Sequence, residues 1–103
     1  RQQNMRSKQL LPRQDRNDNT SRNLGRIFKK ERCKRNLSQL NLSEAANINN
    51  SYYCSVERGT VNLSLRKFLS ICSGLRVSPE EVIRQLKFLN EESAHYGESN
   101  EKV

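Results

Sequence analysis

Residues 49–57 place small polar side chains opposite apolar ones at a helical spacing. Tyr53 and Val56 stand three positions apart and so share one face of a helix. The opposite face carries Asn50, Ser51 and Ser55. An Asn amide can pair with two atoms of an adenine edge, and a Ser hydroxyl can bond either a donor or an acceptor. This outer face therefore predicts hydrogen bonding to bases in the major groove of a duplex.

A second short helix is predicted immediately before this one, at residues 38–46. Ser38 has the short hydroxyl side chain that caps a helix N-terminus. The inner face of this helix is predicted to carry Leu42, Ala45 and Ala46. Asn47 stands where the chain must turn, because Asn tolerates the left-handed backbone conformation. With Ile48 filling the corner and Asn49 capping the next helix, the pattern indicates two helices joined by a tight turn.

The chain as a whole predicts an all-α protein, since helix signals recur and no strand pattern is present. The predicted helices lie at about 23–35, 38–46, 49–57, 63–74 and 79–91. The last helix has a complete start, because Ser78 is a suitable N-cap, Pro79 fits the first helical position and Glu81 can close a capping box. One apolar stripe of this helix, with Ile83 beside it, consists of Val82, Leu86 and Leu89.

Between about Leu24 and Leu86 the sequence closely resembles the Cro/repressor helix-turn-helix family, also called the XRE family. The matches are dispersed along the chain in the correct order: Leu24-Gly25, Leu37-Ser38-Gln39, Val56-Glu57-Arg58-Gly59, Asn62-Leu63-Ser64-Leu65 and residues 75–81. The resemblance implies a compact five-helix, lambda-repressor-like DNA-binding domain. Residues 56–65 also look much like the corresponding stretches of the controller proteins of restriction-modification systems.

The chain departs from the family pattern at a few positions. Asn36 and Asn47 stand where Gly is usual, and Cys54 stands where Ser is common. Glu31 occupies a position that is usually apolar, and Ser43 one that is usually Ala. A buried carboxylate or hydroxyl must find water or a partner, so packing among the first helices depends on whether Glu31 and Ser43 obtain one.

The resemblance implies a role for each residue of the candidate interface. Base contacts are expected from Asn50, Ser51 and Ser55, with Tyr52 at the edge against a thymine methyl or a sugar. Phosphate contacts are expected from Gln39, Arg32, Arg58, Thr60 and Asn62. In the family, the residue at the position of Gln39 also braces the recognition helix, which corresponds to residues 49–57 here. An amide suits this task because it has both donor and acceptor groups. Arg32 and Glu57 are a pair that the family joins by a salt bridge.

Positive charge is concentrated near the N-terminus. Residues 1–36 contain twelve Lys or Arg and three acidic residues, whereas residues 37–103 contain seven Lys or Arg and eight acidic residues. The net charge of the whole chain is +8. Residues 1–22 are expected to form a disordered basic arm and residues 93–103 a disordered, acidic polar tail, on either side of a domain at 23–92. The arm is either a solvated tail or a segment that follows phosphates or enters the minor groove.

Composition and length exclude several functional classes. With 103 residues, 33% of them hydrophobic, and a mean hydropathy of -0.95, the chain holds one domain with little room for an enzyme pocket. Cys33, Cys54 and Cys72 match no zinc or redox spacing, so we expect reduced thiols, no metal, no cofactor and no catalysis. No run approaches the ~20 apolar residues of a membrane helix and no signal peptide is expected, which predicts a cytoplasmic protein.

These observations predict a sequence-specific transcriptional regulator that binds double-stranded DNA as a homodimer on an inverted repeat. The fifth helix has more apolar surface than a small core needs, so Val82, Leu86 and Leu89 are expected to pack against a second copy. Val82 and Ile83 are also expected to close the monomer's own core. Two other functions remain open: the antitoxin of a toxin-antitoxin pair, and a protein-binding adaptor that acts on another regulator through its tails or fifth helix.

Overall fold

The structure, a computed structural model, describes the backbone of residues 19–102 and the side chains of residues 19–92. Its five helices are α1 (Thr20–Lys34), α2 (Gln39–Ala46), α3 (Asn50–Arg58), α4 (Leu65–Leu75) and α5 (Pro79–Lys102), with no strand in this part of the chain. The predicted all-α, five-helix architecture is confirmed. Residues 1–18 of the predicted arm lie outside the described residues.

Two helix boundaries differ from the prediction. The first helix begins at Thr20 rather than near residue 23, so the last residues of the predicted arm belong to α1. Asn90 Nδ2 donates to Thr20 Oγ1 at 3.1 Å, and Asn90 Oδ1 accepts from Asn23 Nδ2 at 2.8 Å, which ties this first turn to α5. The fifth helix continues to Lys102, beyond the end expected near residue 91 and into the predicted tail. No proline interrupts this stretch.

Short polar side chains accept a hydrogen bond at the start of four helices, α2 to α5. Ser38, Asn49 and Ser64 each accept a hydrogen bond from a backbone N–H of the following first turn, at 2.9, 2.9 and 3.2 Å. The predicted caps at Ser38 and Asn49 are confirmed. Asn47 adopts the left-handed conformation at φ 58°, which confirms the predicted turn between α2 and α3.

The fifth helix begins at Pro79 as predicted, but its capping box is only half formed. Ser78 Oγ accepts a hydrogen bond from the Glu81 backbone N–H at 3.2 Å. The Glu81 carboxylate does not turn back toward Ser78, because it accepts hydrogen bonds from Arg84 and Gln85 on the next turn of the helix.

Apolar residues from all five helices form one core. Its buried members are Ile27, Phe28, Leu42, Ala46, Tyr53, Val56, Phe68, Ile71, Cys72, Leu75 and Val82. The prediction that Ala45 faces this core is wrong, because Ala45 is exposed and Ser43 takes the buried position. Ser43 Oγ donates to Leu40 O at 2.8 Å, so burying this hydroxyl leaves no unpaired group.

Glu31 is buried at the junction of α1 and α5, and it has the partners that its position requires. Its carboxylate accepts hydrogen bonds from Arg35 Nη1 at 2.7 Å and from Gln85 Nε2 at 3.2 Å. Burial alone raises a carboxyl pKa, but these bonds and the charge of Lys34 outweigh burial and lower the pKa of Glu31. This departure from the family pattern therefore adds a polar tie between the two helices.

The apolar surface of α5 does not lie where the sequence predicted. Val82 is fully buried and closes the chain's own core as predicted, which removes it from the dimerisation stripe that it was also expected to join. Leu86 and Leu89 are half-buried against the same core. Ile83, which was expected to close the core, is instead 49% exposed. The physical reason is helical phase: the side of α5 that carries Val82 packs inward, which turns the neighbouring position outward.

An apolar groove opens between α4 and α5. Its floor and walls consist of Leu65, Phe68, Leu69, Pro79 and Ile83. Charged residues lie at its rim, namely Glu80, Arg84 and Lys87. Leu65 and Leu69 are 72% and 45% exposed, which is unusual for adjacent large apolar side chains. We refer to this feature as the α4-α5 groove.

Candidate nucleic-acid interface

The third helix presents a small polar face to solvent. Asn50 and Ser51 are exposed, whereas Tyr53 and Val56 on the other side are buried, so the predicted division of the helix is confirmed. Within residues 19–92, no hydrogen bond involves the side chain of Asn50 or Ser51. Their donors and acceptors are therefore available to a ligand.

Residues at the end of α3 extend this polar face. Arg58 Nη2 donates to Ser55 Oγ at 2.9 Å, and Ser55 Oγ donates to Ser51 O at 3.2 Å. Thr60 Oγ1 donates to Ser55 O at 3.2 Å, which holds the chain just after the helix. The Ser55 hydroxyl is thus already engaged: its proton is used by Ser51 O, and only one acceptor lone pair remains for a base.

The first helix fixes the C-terminal end of α3 by direct backbone contact. A Cβ added at Gly25 would lie 2.5 Å from the carbonyl oxygens of both Val56 and Glu57. A Cβ added at Gly59 would lie 2.6 Å from Arg22 Cα. No side chain fits at such distances. The two glycines therefore allow α1 and α3 to approach more closely than any other residue would permit.

The Glu57 carboxylate joins three helices. Oε2 accepts hydrogen bonds from Arg32 Nε and Tyr53 Oη, both at 2.6 Å. Oε1 accepts from Gln39 Nε2 at 2.9 Å and from Arg32 Nη2 at 3.1 Å. Arg32 Nη1 also donates to Leu37 O at 2.7 Å, in the connection before α2. The pairing of Arg32 with Glu57 is confirmed, and we call this set of bonds the Glu57 network.

The Glu57 network fixes the charge state of each of its members. Burial alone would raise the pKa of Glu57, but hydrogen bonds from Arg32, Tyr53 and Gln39 more than offset it, and the pKa lies below the usual 4.5. The bond to Glu57 raises the pKa of Arg32, whereas burial and then the same carboxylate raise that of Tyr53. At neutral pH the pair is therefore ionised, and Tyr53 is a neutral donor.

Gln39 connects the start of α2 to α3, as the predicted brace requires. Its Nε2 donates to Glu57, and its Oε1 accepts from Cys54 Sγ at 3.2 Å. One amide N–H and one lone pair remain, which leaves Gln39 able to contact a phosphate while it holds α3. The bond from Cys54 was not predicted, because residues 15 positions apart on different helices share no local pattern.

The connection between α3 and α4 carries Asn62 outward beside the first turn of α1. Ser21 Oγ lies 3.5 Å from Asn62 Oδ1, the length of a weak hydrogen bond. Arg22 is exposed in the same turn and packs its backbone on Gly59. Arg22, which the sequence placed in the basic arm, therefore lies close to two predicted phosphate contacts, Thr60 and Asn62.

Tyr52 lies on the side of α3 that faces α4. Its ring is half-buried against the core, and Lys67 Nζ lies over the ring, 5.2 Å from the centroid. This distance is typical of a cation–π interaction. Tyr52 was predicted from the sequence and Lys67 was not, because the two side chains lie on different helices and share no local pattern.

The three cysteines of the described chain differ in burial. Cys33 is exposed, Cys54 is half-buried and Cys72 is buried, and all three are free thiols. Burial raises the pKa of Cys72 to about 11, which fits its predicted place in the core. Within the described residues no cluster of three or more His, Cys, Asp or Glu could hold a metal. None of the helices described is long and apolar enough to cross a membrane.

Five helices in this arrangement, with α2 and α3 joined by a left-handed Asn and a polar face on α3, define a helix-turn-helix protein. The sequence profile of the Helix-turn-helix family matches residues 28–82, which include α2, α3 and α4 entirely. The chain therefore belongs to this family, and its type is the Cro/XRE type.

Several known regulators are similar to the chain. An immunity repressor protein of Bacillus phage phi105 is 30% identical over 79 residues, which are 77% of this chain and 55% of the repressor. The chain thus spans about half the length of this curated relative. The restriction-modification controller protein C.AhdI from Aeromonas hydrophila is 31% identical, with a TM-score of 0.58 over 59% of this chain and 92% of the controller.

A third similarity concerns the fold alone. The clp gene regulator ClgR from Corynebacterium glutamicum superimposes with a TM-score of 0.71 at 21% identity, over 80% of this chain and 87% of that protein. The helical arrangement therefore persists where most side chains differ.

Replacing Glu57 by Gln should destabilise the domain by about 3 kcal/mol, because Arg32 would lose its counter-charge in a largely buried site. The depressed pKa of Glu57 makes its contribution complete above pH 4.5 and lost as the pH falls through the lower folded value. Urea unfolding at a series of pH values should therefore show a higher free energy of unfolding for the wild type than for Glu57→Gln. This difference should be constant near neutral pH and should become smaller in acid.

The exposed Glu44 on α2 supplies the matched control for this measurement. Glu44→Gln should change the unfolding free energy by less than about 0.5 kcal/mol at any pH. Equal stability of wild type and Glu57→Gln at neutral pH would contradict a stabilising network.

Proposed function

We propose that this protein is a transcriptional regulator that binds double-stranded DNA with α3 in the major groove. The contrast between the two sides of α3 carries the proposal. The inner side is held by the Glu57 network and by glycine contacts with α1. On the outer side, Asn50 and Ser51 have side chains without a described partner. A fixed helix with free hydrogen-bonding groups is what direct reading of base edges requires.

The proposed base contacts are graded by the state of each side chain. Asn50 and Ser51 read bases directly, since nothing must be broken first. Ser55 contributes less, because its hydroxyl already bonds Ser51 O and Arg58. Tyr52 contacts the edge of the site, at the flank of α3.

We call the outer face of α3, which carries Asn50, Ser51 and Ser55, the reading face. The proposed phosphate contacts surround it: Gln39, Arg32, Arg58, Thr60 and Asn62. Arg58, Thr60 and Asn62 are exposed at or just after the end of α3. Gln39 and Arg32 are engaged with Glu57, so their main contribution is to hold α3, with their remaining N–H groups directed to phosphate. Phosphate contacts set the register of a protein on DNA without reading its sequence.

The similarity to an immunity repressor over 77% of this chain supports repression as the outcome of binding. The net charge of +8 supports attraction to a polyanion. This function needs no catalysis and places the protein in the cytoplasm with its DNA target. Antitoxin and adaptor functions have no specific observation in their favour among the described residues.

The proposed regulator acts as a homodimer through the α4-α5 groove rather than through the stripe that the sequence suggested. Leu65, Leu69 and Ile83 offer the exposed apolar surface that a second copy would cover. The rim carries Glu80 and, further along α5, Lys87, so a two-fold arrangement can bring opposite charges together. Two copies would present recognition helices about one DNA turn apart, ~34 Å.

Selection of bound sites from random duplexes tests the function directly. The expected result is enrichment of an inverted repeat with half-site centres about 10 base pairs apart. Failure to enrich any sequence would show that α3 does not read DNA. Enrichment of a single half-site would retain DNA reading and contradict the dimer.

Changing Asn50 or Ser51 to Ala should weaken binding to the selected operator by about 1 to 3 kcal/mol while leaving binding to random duplex nearly unchanged. Ser55→Ala should have a smaller effect. Fluorescence anisotropy with both duplexes measures the two affinities, and Ser73→Ala on exposed α4 surface is the control. Equal losses on operator and random duplex would mean that these side chains do not read bases.

Ile83→Glu should convert the dimer into a folded monomer with poor operator binding, because a carboxylate would be buried without a partner in the covered groove. Phe88→Glu introduces the same charge at a 60% exposed position of α5 outside the groove, and it should stay dimeric. Sedimentation gives the mass and circular dichroism gives the helix content. A dimeric Ile83→Glu variant would rule out the groove as the interface.

A further inference from the structure

Lys67 stands at a position that its own helix does not favour. It lies in the first turn of α4, where its backbone N–H bonds Ser64 Oγ at 3.2 Å, and this turn contains no acidic residue. The positive end of the helix dipole lies at this end, so a cation in the first turn is unfavourable for α4. Within the described chain, no carboxylate forms an ion pair with Lys67. The only described contact of its ammonium is with the Tyr52 ring.

The Tyr52 ring has a second contact, with Lys67, besides its contact with the core. One part of the ring packs against the core cluster. Lys67 Nζ lies over the ring 5.2 Å from the centroid, where the negative face of the aromatic system attracts a cation. A Tyr side chain has two torsions, each with a small set of preferred wells. Core contact and cation together therefore favour the orientation in which the ring lies under Lys67 at the edge of the reading face.

We infer that Lys67 is a positioning residue that determines sequence preference, because it holds Tyr52 where the ring packs against a thymine methyl. The inference rests on the proposed function and names the base that the edge of α3 prefers. An apolar ring distinguishes thymine by its methyl group, the one apolar feature that a base presents in the major groove. Lys67 acts through the ring and touches no base itself.

Deoxyuridine lacks the thymine methyl, so it serves as the probe. Each thymine of the selected operator is replaced in turn by deoxyuridine, and affinities are measured for wild type, Lys67→Met, Lys67→Arg, Tyr52→Phe and Tyr52→Leu. The affinity of the wild type should fall about fourfold when one particular thymine of each half-site is replaced, which is the effect of losing one buried methyl group. Lys67→Met keeps the length of the stem without the charge, and its loss at that thymine should fall below about twofold.

The remaining variants separate positioning from other roles of Lys67. Lys67→Arg and Tyr52→Phe should keep the wild-type loss, because a guanidinium still stacks on the ring and Phe keeps the ring face. Tyr52→Leu should abolish the loss of affinity caused by deoxyuridine. The double variant Tyr52→Leu, Lys67→Met should behave in the same way as Tyr52→Leu alone. Arg76→Met removes one charge at the opposite end of α4 and should leave the loss unchanged.

The same measurements identify the results that overturn the inference. A Lys67→Met variant with the wild-type loss at every thymine would show that Lys67 does not position the ring. If its salt dependence alone became shallower, by ~0.9 per lost contact, Lys67 would be a phosphate contact instead. Wild-type insensitivity to deoxyuridine at every thymine would place Tyr52 against a sugar and also overturn the inference. A wild-type chain that selects no sequence would contradict the proposed function itself, which the first selection step reveals.

Discussion

The position of α3 depends on one buried carboxylate. Glu57 receives four hydrogen bonds, two from Arg32 on α1, one from Gln39 on α2 and one from Tyr53 on α3 itself. A charge out of water is costly unless it is paired and its lone pairs are filled, and here both conditions hold. Because the partners come from three helices, any rotation or sliding of α3 breaks several bonds at once. The network therefore gives the reading face one orientation, which apolar packing around Tyr53 and Val56 alone would specify less strictly.

Close backbone contact at two glycines also restricts the position of α3, by steric exclusion rather than by attraction. Gly25 and Gly59 bring α1 against the last turn of α3 at distances that exclude a Cβ. Attraction at Glu57 and close contact at the glycines act on the same end of the helix. They leave the side chains of Asn50 and Ser51, in its N-terminal half, without a described partner that a nucleic acid would have to displace. Stability is thus concentrated at one end of α3 and hydrogen-bonding capacity at the other.

Local chemistry was predictable from residue type, whereas relations between helices were predictable only where the family resemblance supplied them, as for Arg32 with Glu57. Ser38, Asn49 and Asn47 act within a few residues of their own positions, so their caps and turn followed from residue type. The error at Ile83 has a different origin. An apolar run on a helix shows that a face is buried, but which side packs inward is set by the neighbouring helices. Cys54 with Gln39 and Lys67 with Tyr52 pair across helices, and no spacing along the chain announces them.

The departures from the family pattern show how a polar chain keeps a tight domain. Glu31 is a buried carboxylate, and Arg35 and Gln85 supply the bonds that its burial requires. Asn23 and Asn90 do the same at the other end of the contact between α1 and α5. With buried polar groups satisfied along this contact, α5 keeps a defined direction relative to α1, and α1 in turn holds α3. The geometry of an α4-α5 groove is thereby coupled to that of the reading face, so a second copy seated in the groove would set the spacing of two recognition helices without touching either one.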